Sequence, residues 1–291
     1  MKKCILILSN KSSGSSAVQR LLAQAADLKY VEKTRHFENE TLYWTKAASL
    51  LRLPQRDMLD SEVPIAPDEA KQDLLKLLAD NVPDYLPPMG DRALIFEGWQ
   101  QLCDRYSPIF LEKSPHHLLQ ISALDLIVEA IEQLQGEVDF LLVGLVRNPM
   151  DVMYSAFRRW RTSPEALQYE WLAAYDNLQN LKTRLGDRVV IIRYEDLVDS
   201  LDPLAPVFDF CETTVGENAE TLRGGSLLKW KSDRTFGFTL APEVYELANA
   251  YGYTSEQLNN KPWQFWPLYQ GAVRIAHQNL QWAKQIYLKL T

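Results

Sequence analysis

Short runs of consecutive apolar residues alternate along this chain with stretches whose apolar positions recur at helical spacing. Residues 3–8 form such a run and stop at Ser9 and Asn10, the pattern of a strand buried on both faces. Over residues 17–26, Val18, Leu21, Leu22 and Ala25 fall on one face of a helix. Residues 28–31 and 109–112 read as further strands, and 140–146 (FLLVGLV) and 188–192 (RVVII) as the clearest ones. Between those last two, 150–160 and 164–185 read as helices, the second opening on Pro164 after Ser163. Strands joined through helices require parallel crossovers. The expected fold is therefore α/β, a central parallel sheet flanked by helices.

Residues 53–88 break this rhythm, with six prolines (54, 64, 67, 83, 87, 88) around one helical pattern at 68–78. They read as an insertion on the α/β core that could cover a substrate. From residue 242 the chain becomes helical and rich in Trp and Tyr. No internal repeat marks a boundary, so residues 1–291 read as one domain.

Composition excludes several classes. With 46% apolar and 24% charged residues the chain can bury a core and is not generally disordered. No apolar run approaches the roughly 18 residues of a membrane span, and the apolar stretch at 4–8 is too short for a signal peptide. A net charge of −7 argues against nucleic acid as a partner. Three widely spaced cysteines give neither a disulfide framework nor a metal pattern, which points to a reducing, cytoplasmic home. No feature of the sequence sets an oligomeric state.

Two segments carry chemistry. The first, N-K-S-S-G-S-S-A-V-Q-R-L-L at 10–22, runs from a strand through a Gly/Ser turn into a helix, so backbone N–H groups and a positive dipole end converge. Gly14 permits close backbone approach, Ser15 and Ser16 offer hydroxyls, and Lys11 offers a cation. The plain alternative is a capped helix after a strand. No Gly-Lys dipeptide occurs, so the G-x-x-x-x-G-K-S/T loop of metal-bound triphosphate chemistry is absent, which weighs against a small-molecule or nucleotide kinase. The second segment is V-R-N-P-M-D-V-M-Y-S-A-F at 146–157. Arg147 ends a buried strand, Pro149 breaks away from it, a helix begins near Met150 and Asp151, and Ser155 follows Arg147 by eight residues. A guanidinium and a hydroxyl at the C-terminal edge of a sheet can grip a phosphate.

Together these segments resemble the sulfotransferases that use 3′-phosphoadenosine 5′-phosphosulfate (PAPS), which share a nucleotide-kinase-like, P-loop-type fold. Lys11, Ser13, Gly14, Ser15 and Ser16 match the family's 5′-phosphosulfate loop, with an extra serine before Gly14 that leaves open which one faces the sulfonate. Arg147 and Ser155 match its 3′-phosphate segment. R-Y-E-D-L at 193–197 matches a third segment, which puts Tyr194 near the adenosine. F-L-E-K-S-P-H-H at 110–117 resembles a segment of carbohydrate and bacterial members, and L-L-K-W-K-S-D at 227–233 the basic loop over the donor, with Lys229 and Trp230. The resemblance implies transfer of a sulfonate from PAPS to a hydroxylated carbohydrate or small metabolite, release of adenosine 3′,5′-bisphosphate, and no metal. A catalytically inactive nucleotide-binding module is the reading from another class.

The chemistry needs cations for the leaving phosphate and a base for the acceptor hydroxyl. Lys11 and Lys113 are the candidate cations. The resemblance puts the base in V-E-K-T-R-H-F-E-N-E at 31–40, where His36 is the first choice because imidazole titrates near neutrality, followed by Glu38 and Glu32. His116 and His117 lack the partners of a metal site and suit a helix cap or substrate contact. Trp44, Trp99, Trp160 and the residues at 263–266 read as core or rim packing.

Overall fold

Four strands form one parallel sheet in the order β2-β1-β3-β4: β1 (Lys2–Ser9), β2 (Ile109–Lys113), β3 (Val138–Val146) and β4 (Val189–Arg193). The computed structural model describes residues 1–26, 28–214 and 221–290. The side chain of Ala25 and the final residue, Thr291, lie outside that description. β1 is buried from Cys4 to Ser9, which a central parallel strand requires because helices cover both faces. The covering elements before β3 are α1 (Ser15–Ala25), α2 (Tyr43–Leu50), α3 (Pro67–Asn81), α4 (Asp91–Arg105) and α5 (Ile121–Gln133). The helices that follow β3 in the chain are α6 (Pro149–Trp160), α7 (Pro164–Leu185), α8 (Asp196–Asp199), α9 (Ala205–Cys211), α10 (Pro242–Ala250), α11 (Ser255–Leu258) and α12 (Trp266–Leu290).

Residues 28–31 do not form the expected strand. Lys29 alone bridges Phe110 on the outer edge of β2. Two residues beyond that segment the side chain of Asn81, on α3, takes the backbone of Lys33: Nδ2 donates to its carbonyl at 2.7 Å and Oδ1 accepts from its N–H at 3.3 Å, so the ladder cannot resume there. The 53–88 segment holds the one helix expected in it, α3, which opens on Pro67.

Contacts gather the chain, read above as one domain, into two compact units: Met1–Arg147 with Ala173–Gly224, and Asn148–Leu172 with Gly225–Thr291. In the first, Trp44 and Trp99 are fully buried with ring centroids 4.7 Å apart. Tyr43 and Phe110 lie 4.9 and 5.2 Å from Trp99, which ties α2 and α4 to β2. In the second, Phe157 and Phe236 each pack edge to face on Trp266 at 5.0 Å, and Trp266 Nε1 donates to Glu165 at 2.7 Å. Trp160 is half-exposed beneath the Arg159 guanidinium. Among the described residues no helix is long and apolar enough to cross a membrane.

Trp99 anchors the first core. Trp99→Ala is expected to cost about 3–5 kcal/mol, the range for emptying a buried large aromatic site. Urea unfolding checks this, and a loss under about 1 kcal/mol would mean the cluster does not hold the unit together.

Candidate active site

Because all strands run the same way, their C-terminal ends share one edge of the sheet, and the register aligns Ile7 with Lys113, Ser9 with Leu145 and Val146 with Arg193. The chain beyond β1 closes into a tight loop. Asn10 accepts the Lys11 N–H on its side chain (2.7 Å) and the Ser13 N–H on its carbonyl (3.3 Å). Ser12 and Gly14 take positive φ of 64° and 86°. Gly14 is required twice over: a Cβ there would also lie 2.3 Å from Cε2 of Tyr194. α1 then opens at Ser15, so the amides of Ser15 and Ser16 have no acceptor within the helix. From α7, the buried Tyr175 hydroxyl donates to the Leu145 carbonyl (2.9 Å) and accepts from the Asn10 N–H (3.4 Å). Its one proton is used on Leu145, so the Ser13 hydroxyl, 3.1 Å away, must donate to it. Ser13 thereby braces the loop, while Ser15 and Ser16 open the helix.

β2 ends in Lys113, whose side chain is fully buried. Its ammonium donates at 3.0 Å to the Ser16 hydroxyl, the Glu38 carbonyl and a Glu40 carboxylate oxygen. Burial pushes the Glu40 carboxyl above its ordinary range, with Lys113 opposing. One residue before Lys113, Glu112 accepts from Thr41 Oγ1 at 2.7 Å and Ser114 Oγ at 2.5 Å, and Ser114 Oγ accepts the Thr41 and Leu42 amides. Burial pushes Glu112 up, but His117, Ser114 and Thr41 outweigh it and hold the carboxyl below its ordinary value. This network fixes the chain just after Glu40.

At the ends of β3 and β4, the Arg147 guanidinium lies over the Tyr194 ring at 4.8 Å and donates to the Ser12 carbonyl at 3.1 Å. Ser155, Lys229 and Trp230 belong to the second unit. Ser155 is half-buried on α6, Lys229 is exposed, and Trp230 is buried. Their two segments are joined there by Asp151, which accepts the Leu228 N–H at 2.8 Å.

The remaining candidates separate. Glu32 is exposed, and the Glu38 carboxylate pairs with Arg20 at 2.6 Å, so of Glu38 only the carbonyl meets Lys113. The Lys11 ammonium is turned to the carbonyls of Leu59 (2.7 Å) and Asp60 (2.9 Å) in the insertion. His36 is turned to Glu62, and it does not keep the near-neutral titration expected of it: burial, then the neighbouring Lys46 ammonium, lowers its pKa to about 4. His116 is also held well below its ordinary value, by burial and then by Lys11.

A family model described as the sulfotransferase family matches residues 4–216. The chain belongs to that family. In fold it is similar to the sulfotransferase domain from the Synechococcus PCC 7002 olefin synthase, with a TM-score of 0.56 and 21% identity over 87% of this chain and 95% of that one. No curated protein matches. In this sulfotransferase, pattern reading missed Tyr175, an unremarkable aromatic within a long helix, and Glu40, which lay inside the 31–40 window but had no signal setting it above its neighbours.

Gly14→Ala is expected to destabilise the protein by about 1–3 kcal/mol from overpacking, with roughly a further 1 kcal/mol from the left-handed backbone. A double-mutant cycle with Tyr194→Ala separates the two: the second substitution should recover the packing part alone. Full recovery would mean the backbone carries no strain.

Proposed function

We propose that this sulfotransferase moves a sulfuryl group from PAPS to a hydroxyl of a small carbohydrate or metabolite in the cytoplasm, releasing adenosine 3′,5′-bisphosphate. The observation that supports it best is the buried Lys113 ammonium on the Ser16 hydroxyl, at the N-terminus of the helix that follows β1. Two uncapped helix amides and serine hydroxyls form a donor set for an anionic oxygen cluster, and the buried ammonium, its three donors held by Ser16, Glu38 and Glu40, adds positive charge beside it. The chemistry supplied by PAPS is an activated sulfuryl group on a phosphate leaving group. Lys113 and the amides of Ser15 and Ser16 neutralise the 5′-side oxygens, and Lys11 adds positive charge to the same loop. Arg147 takes the 3′-phosphate while Tyr194 packs against the nucleoside. Ser155, Lys229 and Trp230 take the donor contacts that the family resemblance assigns to them.

His36 accepts the acceptor's proton. Its Nε2 is buried and has no hydrogen-bond partner among the described residues, whereas Glu38 is committed to Arg20 and Glu40 to Lys113. A pKa near 4 keeps this imidazole neutral over the whole working range, with Nε2 a weaker base than that of a free imidazole. The sign also applies to stability: the unfolded histidine binds its proton first, so stability falls as pH drops from about 6.5 through about 4.

Arg147→Ala is expected to weaken adenosine 3′,5′-bisphosphate by about 2–5 kcal/mol in calorimetry, the range for removing one partner of a buried charge pair. Adenosine 5′-monophosphate should lose much less. Equal losses would remove the 3′-phosphate from Arg147.

His36→Ala should lower kcat by roughly 10²–10⁴-fold against an acceptor panel with labelled donor, leaving donor affinity nearly unchanged. The acidic limb of wild-type kcat/KM should lie near pH 4 rather than near neutrality, and Glu38→Gln should turn over normally. A dead Glu38→Gln beside an active His36→Ala would transfer the role to the carboxylate. Phosphate transfer from ATP in place of sulfuryl transfer would make the protein a kinase.

A further inference from the structure

His36 Nδ1 lies 2.8 Å from Oε1 of Glu62, a residue of the proline-rich insertion far from both phosphate segments in sequence. A carboxylate can only accept, so Nδ1 must carry the proton of the neutral ring, and Nε2 is then a bare acceptor. That same Nε2 is buried and without a partner among the described residues. Glu62 is itself held: the Arg35 guanidinium donates to it at 2.8 Å, to Glu69 at 3.1 Å and to Asp73 at 2.9 Å. One arginine thus ties the insertion, the start of α3 and the loop carrying the imidazole. On the loop side, the His36 N–H donates to Thr34 Oγ1 at 3.2 Å, and that hydroxyl donates to the Glu40 carbonyl at 2.6 Å.

We propose that Glu62 is a positioning residue that fixes the tautomer and orientation of His36, so that the insertion supplies the group which makes Nε2 a base. This rests on the reading of His36 as the base. The neutral state of the ring follows from its surroundings: burial and the Lys46 ammonium of α2 disfavour a second proton, and Arg35 adds to them. Glu62 and Asp73 pull the other way without prevailing, and His116, from the segment after β2, is itself kept neutral. The arrangement follows the logic by which a carboxylate orients a catalytic imidazole in hydrolases. Here the carboxylate is 42% exposed while the imidazole is 10% exposed, so solvent screening makes its effect smaller than that of a buried aspartate.

The test uses the full chain labelled with ¹⁵N, whose four histidines give few ring signals; His36 is assigned by its loss in His36→Gln. Long-range proton–nitrogen spectra should show His36 protonated at Nδ1 and bare at Nε2. Glu62→Ala should move the proton toward Nε2 and lower kcat roughly 10- to 100-fold, with KM for PAPS little changed. Glu69→Ala removes another partner of Arg35 and should leave both the ring signal and kcat as they are. Wild-type His36 protonated at Nε2, or Glu62→Ala with unaltered ring signal and turnover, overturns the proposal. If Glu62→Ala does not fold, the wild-type spectrum decides in the same sense. A wild-type ring bare at Nε2 in a protein that transfers no sulfuryl group would uphold the orienting role of Glu62 and overturn the sulfotransfer reading instead.

Discussion

The buried ammonium of Lys113 is the constraint around which the first unit is arranged. Removing a lysine head group from water costs several kcal/mol unless hydrogen bonds and an opposite charge replace the lost solvent. Its three partners come from three places: the first turn of α1, the carbonyl of Glu38, and the carboxylate of Glu40. Satisfying one cation therefore fixes the phosphate loop, the 34–40 segment and the end of β2 relative to one another. Positive φ at Glu38 and Asn39 is part of the same arrangement, since the chain must turn sharply to present both a carbonyl and a carboxylate to one nitrogen.

The parallel sheet makes this economical. Four strand ends on one edge bring Asn10, Lys113, Arg147 and Tyr194 together without any long-range search by the loops themselves. A chain of net charge −7 thus gathers cations and backbone amides at one edge of its sheet. Tyr175 and Tyr194 complete the frame, one bracing the loop through Ser13 and Asn10, the other filling the space that Gly14 leaves.

The insertion touches two of the candidate residues. It holds the Lys11 ammonium through two carbonyls and meets His36 through Glu62. The Arg35 fork explains how a segment with so many prolines is held in place: three carboxylates from the loop and α3 share one planar donor group.

Much of this was legible beforehand. The sheet strands, the Gly/Ser turn between β1 and α1, the start of α6 after β3 and α3 are local patterns: apolar runs of strand length, Gly and Ser after a strand, proline at a helix start. The family followed from five such segments in order. The helices α2, α4 and α5 were not legible as separate elements, and residues 28–31 looked like a strand because four residues of suitable type say nothing about whether a partner edge is available. Just beyond them Asn81 takes the backbone of Lys33, so the ladder cannot resume there.

What the sequence could determine was which residue types sit beside which in the chain, and hence the fold class and the family. Only the tertiary structure decided which groups are paired. Glu38 and Glu40 are two residues apart and chemically identical, yet one faces Arg20 at the surface and the other Lys113 in the interior. His36 lost its near-neutral titration to burial and to Lys46, ten residues on. Ionisation and hydrogen-bond partnership depend on distance and solvent access in space, and residue order does not set those.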